Sequence, residues 1–340
     1  MFAAVLQAGN EPLLRVAPTR PGTSLPAPTV AAASPAPAAS GLPRRKFGGV
    51  DYVGVAEAAR RLGLQLSWIV RGQKLTLTGP GVKVVMESEA RETQANGLRV
   101  FLGEPVRAAS GQLFVGVIDF ERCLAPVLRP DLGGWPVPAA KIVVLDPGHG
   151  GRDTGTSIHE KAFALDVARR AKKLLEAAGY NVALTRDEDV FVGLAQRSAF
   201  ASVSRADLFV SIHFNALVND TKTSGVEIYT FPPQGQRSTN SWSPGRKIDA
   251  EPAASPANRQ DHWNTVLAHA LHRRLVGDLK AMDRGKKLMH LGVLRGLACP
   301  GVLVECGFLT SETEARKIGS PGYRQQIAET LVAGIRDYDA

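Results

Sequence analysis

Residues Lys141–Gly151, KIVVLDPGHGG, decide how the rest of the chain is read. The apolar, β-branched run Ile142 to Leu145 has the character of a buried strand. It stops at Asp146, and Pro147 and Gly148 break it. His149 follows at once, with Gly150 and Gly151 leaving the backbone around it bare. A strand that ends this way delivers an imidazole to the carboxyl edge of a sheet, where open α/β sheets bind ligands. The glycines are expected to leave room beside that imidazole for a bulky substrate.

Outward from this stretch, apolar periodicity predicts a strand at 142–146, a helix at 161–178, a strand at 181–185, a helix at 194–204 and a strand at 207–212. Strand 226–231, helix 265–282, strand 301–305 and helix 321–338 complete the series. In the first helix Phe163, Val167, Ala171, Leu174 and Ala178 share one face, and Gly179 stands where a helix-ending glycine belongs. Strands alternating with helices imply an α/β fold, a largely parallel mixed sheet covered by helices on both faces.

Two further residues join His149. Glu160 follows the glycine-rich turn GGRDTGTSIH, and His213 ends the apolar run DLFVSIH, a second imidazole at a strand end. Two histidines and one carboxylate are a catalytic zinc set, because three protein ligands leave one tetrahedral position open. Zinc brings the pKa of bound water down to about 7. Glu305 ends the buried run GVLVEC, where a carboxylate needs a partner, either a salt bridge to an arginine such as Arg295 or an activated water. His269 and His272, three apart on the long helix, read as a solvated helix face, since no carboxylate or cysteine completes a site there. His159 is a rival ligand to Glu160, and His290 reads as a packing or surface histidine.

At this point the stretches LDPGHGGRDTG, EKAFALDVARRAKKLLEAAGYNVALTRDEDVFVGLAQR, ADLFVSIHFNA, SGVEIYTF and VLRGLACPGVLVECGFLTSETEA matter together. In this order they resemble the zinc-dependent N-acetylmuramoyl-L-alanine amidases of the type-3 family. The resemblance implies a peptidoglycan hydrolase that cuts the amide between N-acetylmuramic acid and L-alanine with one catalytic zinc ion. His149, Glu160 and His213 would be the metal ligands and Glu305 the catalytic residue. Arg197 and Asn215 would contact substrate. Ser311 stands after Thr310 where the family often has Asn, and the His149–Glu160 spacing is short for the family. Residues 232–263, where some relatives insert an autoinhibitory helix, hold hardly an aliphatic residue and show no helical period, and are expected to form a polar loop or cleft wall without a helix plugging the zinc.

The amino-terminal part reads differently. Residues 1–45 are rich in Pro, Ala, Ser and Thr, the composition of a disordered linker. Residues 46–132 form a small α+β module, with a helix in VGVAEAARRLGL and strands in LSWIV, KLTLTG, VKVVM, LRVFLG and QLFVGV. Its Tyr52-Val53, Ala58-Ala59, Leu62-Gly63 and Trp68 start, with Phe114-Val115 late, resembles the copper-amine-oxidase N-terminal-like module. That would imply a stalk or wall-binding accessory without copper chemistry. A hinge at Asp131–Pro136 leads to the catalytic domain, 139–340.

Composition excludes several classes. The net charge of +9 divides into +5 for residues 1–140 and +4 for the remainder, so no basic stripe forms. With few aromatics and no recognition motif, it suits an anionic wall polymer or membrane surface and not nucleic acid. No run approaches the roughly 18 apolar residues of a membrane span. The start MFAAVLQAGN lacks the basic region of a secretory signal. Location in the envelope, periplasm or outside the cell is therefore an expectation from the substrate, and no activator protein is legible. Cys299 and Cys306 flank a strand and would stand about 20 Å apart if extended, beyond disulfide reach, so buried thiols are expected. A zinc exopeptidase and an inactive wall-binding protein are the competing classes; release of new amino-terminal alanine from sacculi separates them.

Overall fold

Parallel strands need crossover connections, and here those crossovers become the helical layers on either side of one sheet. The structure, a computed structural model, describes residues 39, 41–130, 139–157, 159–239 and 249–340. Most of the expected linker and hinge, and residues 240–248 of the expected polar loop, lie outside the described residues.

The amino-terminal module comprises β1 (Arg44–Phe47), β2 (Val50–Gly54), α1 (Val55–Arg61), β3 (Gln65–Val70), β4 (Lys74–Gly79), β5 (Val82–Glu87), β6 (Glu92–Ala95), β7 (Leu98–Phe101), β8 (Arg107–Ala109) and β9 (Gln112–Gly116). A π-helical turn, Asp119–Leu124, and α2 (Ala125–Leu128) close it. The α/β part follows with β10 (Ile142–Pro147), α3 (Glu160–Ala177), β11 (Asn181–Leu184), α4 (Leu194–Val203), β12 (Leu208–Asn215) and β13 (Val226–Thr230). After a 3-10 turn at Pro256–Gln260 come α5 (Asp261–Asp278), β14 (Asp283–Leu288), α6 (Gly292–Arg295), β15 (Gly301–Phe308), α7 (Glu312–Gly319) and α8 (Pro321–Asp339).

Eleven strands form one mixed sheet in the order β11-β10-β12-β15-β13-β14-β7-β6-β5-β4-β3, and β1-β2-β9-β8 form a smaller one. Strands β11, β10, β12 and β15 are parallel, whereas β13 runs antiparallel to β15. The module and the α/β part therefore share a sheet, joined where Lys286 of β14 pairs with Val100 of β7. Strand β14, DRGKKL, has no apolar alternation and escapes the periodicity reading; its Lys286 and Lys287 are buried.

Helices α3, α5 and α8 cover one face. Val167, Ala171, Leu267, Leu271, Ile327 and Leu331 pack there on Leu145, Val210, Ile212 and Val304. On the other face α4 and α6 contribute Ala201, Val293 and Leu294 over Val144, Phe209 and Leu303. Along β12, Phe209, Ser211 and His213 project to this second face by alternation, so the strand turns from apolar to polar toward its carboxyl end. Helix α5 begins four residues earlier than its leucine spacing suggests. The three cysteines are free and buried, as their spacing predicts. No helix among the described residues is long and apolar enough to cross a membrane.

The described residues that directly follow Pro232 do not wall the cleft. Because β13 is antiparallel to β15, it exits at the sheet edge opposite His149. Gln236, Arg237 and Ser238 are buried there, and Arg237 Nε donates to Gly103 O of the module at 2.9 Å.

Candidate metal centre and active site

Asp146, fully buried at the end of β10, anchors the site from below. Its carboxylate accepts hydrogen bonds from Thr185 Oγ1 at 2.5 Å, Ser211 Oγ at 2.6 Å and Arg197 Nη1 at 2.7 Å. Above it the chain turns through His149, whose φ is 59°. A Cβ on Gly148 would stand 2.4 Å from the His213 ring. One on Gly155 would stand 2.2 Å from Glu160 Oε2, and φ at Gly155 is +74°. The space at these two glycines is thus filled by His213 and Glu160, and that at Gly150 and Gly151 by Val190, Arg186 and Phe191, so it is not held open for a substrate as the sequence suggests.

His149, Glu160 and His213 meet at this edge. Glu160 Oε1 is 3.1 Å from His149 Nε2 and 3.1 Å from His213 Nδ1, and the two rings lie edge to face at 4.7 Å. Glu160, first residue of α3, is 1% exposed. Its second oxygen accepts from Thr156 N at 2.7 Å and Thr156 Oγ1 at 2.8 Å. Burial alone would raise its pKa, but the two imidazoles hold it well below the usual carboxylate range. Burial likewise opposes protonation of His149, while Glu160 and Asp153 raise its pKa on balance. Asp153 Oδ1 lies 2.9 Å from His149 Nδ1, which assigns the proton to Nδ1 and leaves Nε2 as the donor atom.

One ligand atom from each of the three residues lies within 4.8 Å of the other two. Two imidazole nitrogens and one carboxylate oxygen, converging on one point, are a donor set that fits a divalent metal such as zinc. Among the described residues this is the one such group of His, Cys, Asp and Glu. His159, the rival ligand, stacks on Phe163 instead, with ring centroids 5.7 Å apart.

Glu305 is the register partner of His213 across β12 and β15, and of Glu227 across β15 and β13. Paired residues project to the same face, so these three side chains form a row. Glu227 accepts from Asn215 Nδ2 at 2.6 Å, from Tyr229 Oη at 2.7 Å and from Lys287 Nζ. Glu305 Oε2 is buried with no hydrogen-bond partner. Burial pushes the Glu305 pKa well above the ordinary value; the negative charges of Glu160 and Glu227 add to this, and Lys287 opposes them. The salt bridge to Arg295 is not formed, because Arg295 pairs with Glu251 at 2.5 and 2.7 Å.

Arg197 and Asn215 are placed differently from the sequence reading. Arg197 is 3% exposed, and beyond Asp146 its guanidinium donates to the carbonyls of Pro147, His149 and Val192 at 2.7–3.0 Å. It braces the His149 loop from behind and does not face the cleft. Asn215 spends its amide on Glu227 and is 8% exposed. His272 is not on a solvated face either: it is 1% exposed, with Nε2 2.6 Å from Asp283 Oδ1. His290 packs edge-on against Phe231 at 5.2 Å. Asp153, Thr156, Glu227 and Lys287 were missed as site residues. Asp153, four residues after His149, sat inside the quoted motif, but the long-range partners of Glu227 could not be read locally.

Residues 143–337 match the family model described as N-acetylmuramoyl-L-alanine amidase. The amidase AmiC of Neisseria meningitidis serogroup B is 33% identical over 219 residues, covering 58% of this chain and 52% of that protein. AmiC of Escherichia coli O6:H1 is 31% identical over 221 residues, covering 58% and 53%. The chain thus spans about half the length of these curated relatives. Among solved structures, the N-acetylmuramoyl-L-alanine amidase of Clostridium difficile 630 is similar at 30% identity and a TM-score of 0.47, covering 59% of this chain and 97% of that one. With the family model matched over more than half of the sequence, the chain belongs to the N-acetylmuramoyl-L-alanine amidase family.

Proposed function

We propose that the protein hydrolyses the amide between the lactyl group of N-acetylmuramic acid and L-alanine of the peptidoglycan stem peptide. The observation that carries this reading is the convergence of His149 Nε2, Glu160 Oε1 and His213 Nδ1, with the unpartnered Glu305 Oε2 one strand along the same face. These three residues would hold one zinc ion, which when bound supplies Lewis acidity toward a carbonyl and makes hydroxide available near neutral pH.

The chain's own groups do the remaining work. Asp153 and Thr156 fix the orientations of His149 and Glu160. Asp146 and Arg197 hold the strand end and the His149 carbonyl. Glu305 takes the proton of the attacking water on its free oxygen and passes it to the leaving amine nitrogen, a contribution of about 10²–10⁴-fold. Burial and the neighbouring carboxylates raise its pKa above that of an ordinary glutamate, which favours holding the proton until the amine nitrogen takes it. The substrate places the action in the cell envelope, and residues 46–132 act as an accessory extension of the catalytic sheet, in line with a wall-binding stalk.

Digestion of purified sacculi tests the reading. The metal-loaded protein is expected to release stem peptides with new amino-terminal L-alanine. Cleavage of free peptides without that product would identify a zinc exopeptidase instead.

A further inference from the structure

The loop between β11 and α4, residues 185–193, is not used in the reaction described above, yet it carries the most conspicuous apolar surface near the site. Val190, Phe191 and, at the start of α4, Leu194 are 46%, 41% and 48% exposed. Scattered exposed apolar residues are ordinary, but three within five positions beside a ligand loop form a patch that calls for an occupant.

This loop is bound tightly to the His149 loop. Asp189 Oδ1 accepts from Gly151 N at 2.7 Å, and Lys161 Nζ bridges Asp189 Oδ2 and Gly151 O at 2.7 and 2.8 Å. Arg186 donates to the carbonyls of Pro147, Gly148 and Glu188 at 2.7–3.1 Å. A Cβ on Gly150 would stand 2.2 Å from Val190 O. The Arg152 guanidinium carbon sits 4.6 Å from the Phe191 ring centroid. The patch is therefore held rigid in place, which lowers the entropy cost of binding against it.

Charge decides which part of a glycan–peptide it suits. Asp187 and Asp189 are paired with Arg169 and Lys161, and the loop's remaining carboxylate, the exposed Glu188, repels the carboxylates of a stem peptide. On the far side of the site, beyond Glu305, an open cavity of about 620 Å³ is bordered by Lys222, Arg284, Asp220 and Met282, with Arg284 Nε 3.6 Å from Glu227 Oε2. Lys222 there suits a carboxylate of a stem peptide. We infer that Val190, Phe191 and Leu194 form the subsite for the uncharged N-acetylated sugar of the glycan, packing on its C–H face and acetamide methyl. The inference rests on the amidase reading, in which sugar and peptide leave the metal in opposite directions.

Phe191→Ala and Phe191→Tyr test it, with metal content and thermal midpoint confirming that both variants fold. Binding of peptide-free glycan strands is measured first, then KM and kcat on soluble glycan–peptide fragments. The alanine variant is expected to bind glycan about 5–20-fold more weakly and to raise KM by the same factor with kcat unchanged, the scale of an interface anchor. Tyrosine should restore both values. Unchanged glycan binding in Phe191→Ala overturns the inference, as does a loss confined to binding phosphatidylglycerol vesicles. If the parent protein releases no amino-terminal alanine from sacculi, the amidase reading fails, and the glycan-binding comparison still reads the subsite by itself.

Discussion

Two regions of this chain set histidines beside carboxylates, and in only one of them do the donor atoms converge on a point that a metal could occupy. At the carboxyl edge of the sheet, Glu160 stands between His149 and His213, so three donor atoms face one point. At the junction of α5 with the amino-terminal module, the contacts form separate pairs, and His262 Nε2 and His272 Nδ1 have no hydrogen-bond partner. His272 pairs with Asp283 at 2.6 Å, Asp261 accepts from Asn258 at 3.1 Å, and Lys286 Nζ lies 3.9 Å from Cys123 Sγ. The difference lies in topology. Parallel strands β10 and β12 end side by side and aim their last residues at a common space, whereas residues on one side of a helix spread along its axis. Histidine count alone does not predict a metal site; convergence of strand ends does.

That contrast can be broken or sharpened by substitution. The largest effect is expected from His213→Ala, which removes one of three ligands. Metal analysis should find the ion lost and turnover gone, while His272→Ala should keep a full metal complement. Loss of metal from the His272 variant would contradict the distinction between the regions. Next in size is the pH response of Asp261, 7% exposed, whose pKa burial raises to about 7. A raised carboxyl pKa means that the folded state favours the proton. Its stabilising contribution is complete below the unfolded value near 3.9 and is lost as pH rises through about 7. Asp261→Asn should therefore gain stability relative to the parent between pH 4 and 8, by up to a few kcal/mol in denaturant titrations. A gap that does not change with pH would show that Asp261 is ionised throughout. Smaller still, Asp153→Asn should weaken metal binding by about 10–100-fold against a competing chelator, since Asp153 holds the His149 tautomer. Equal affinity would make the Asp153 contact incidental.

The catalytic half was legible because β10, β12 and β15 are local apolar runs that lead into His149, His213 and Glu305. His149, Glu160, His213 and Glu305 could all be placed at strand or helix ends before any coordinates. What escaped was set by contacts far apart in sequence. Strand β14 hides its role behind charged residues, because Lys287 is neutralised by Glu227, sixty positions away. The joining of β7 to β14 rests on a pair 186 residues apart, Lys286 with Val100. On helix α5, His269 and His272 read as a solvated face because no carboxylate or cysteine nearby in sequence completes a site. The module covers that face, with Thr265 Oγ1 donating to Arg122 O at 2.8 Å. Arg197 is given a substrate contact by the family resemblance alone, yet buried Asp146 claims it.

The central claim is that Glu305 is the proton carrier beside a metal held by other residues. Glu305→Gln keeps the shape of the side chain and removes its basicity. The account predicts that this variant binds zinc with the stoichiometry of the parent and releases amino-terminal alanine from sacculi about 10²–10⁴-fold more slowly. Turnover at the parent rate, or loss of the zinc along with activity, would contradict it.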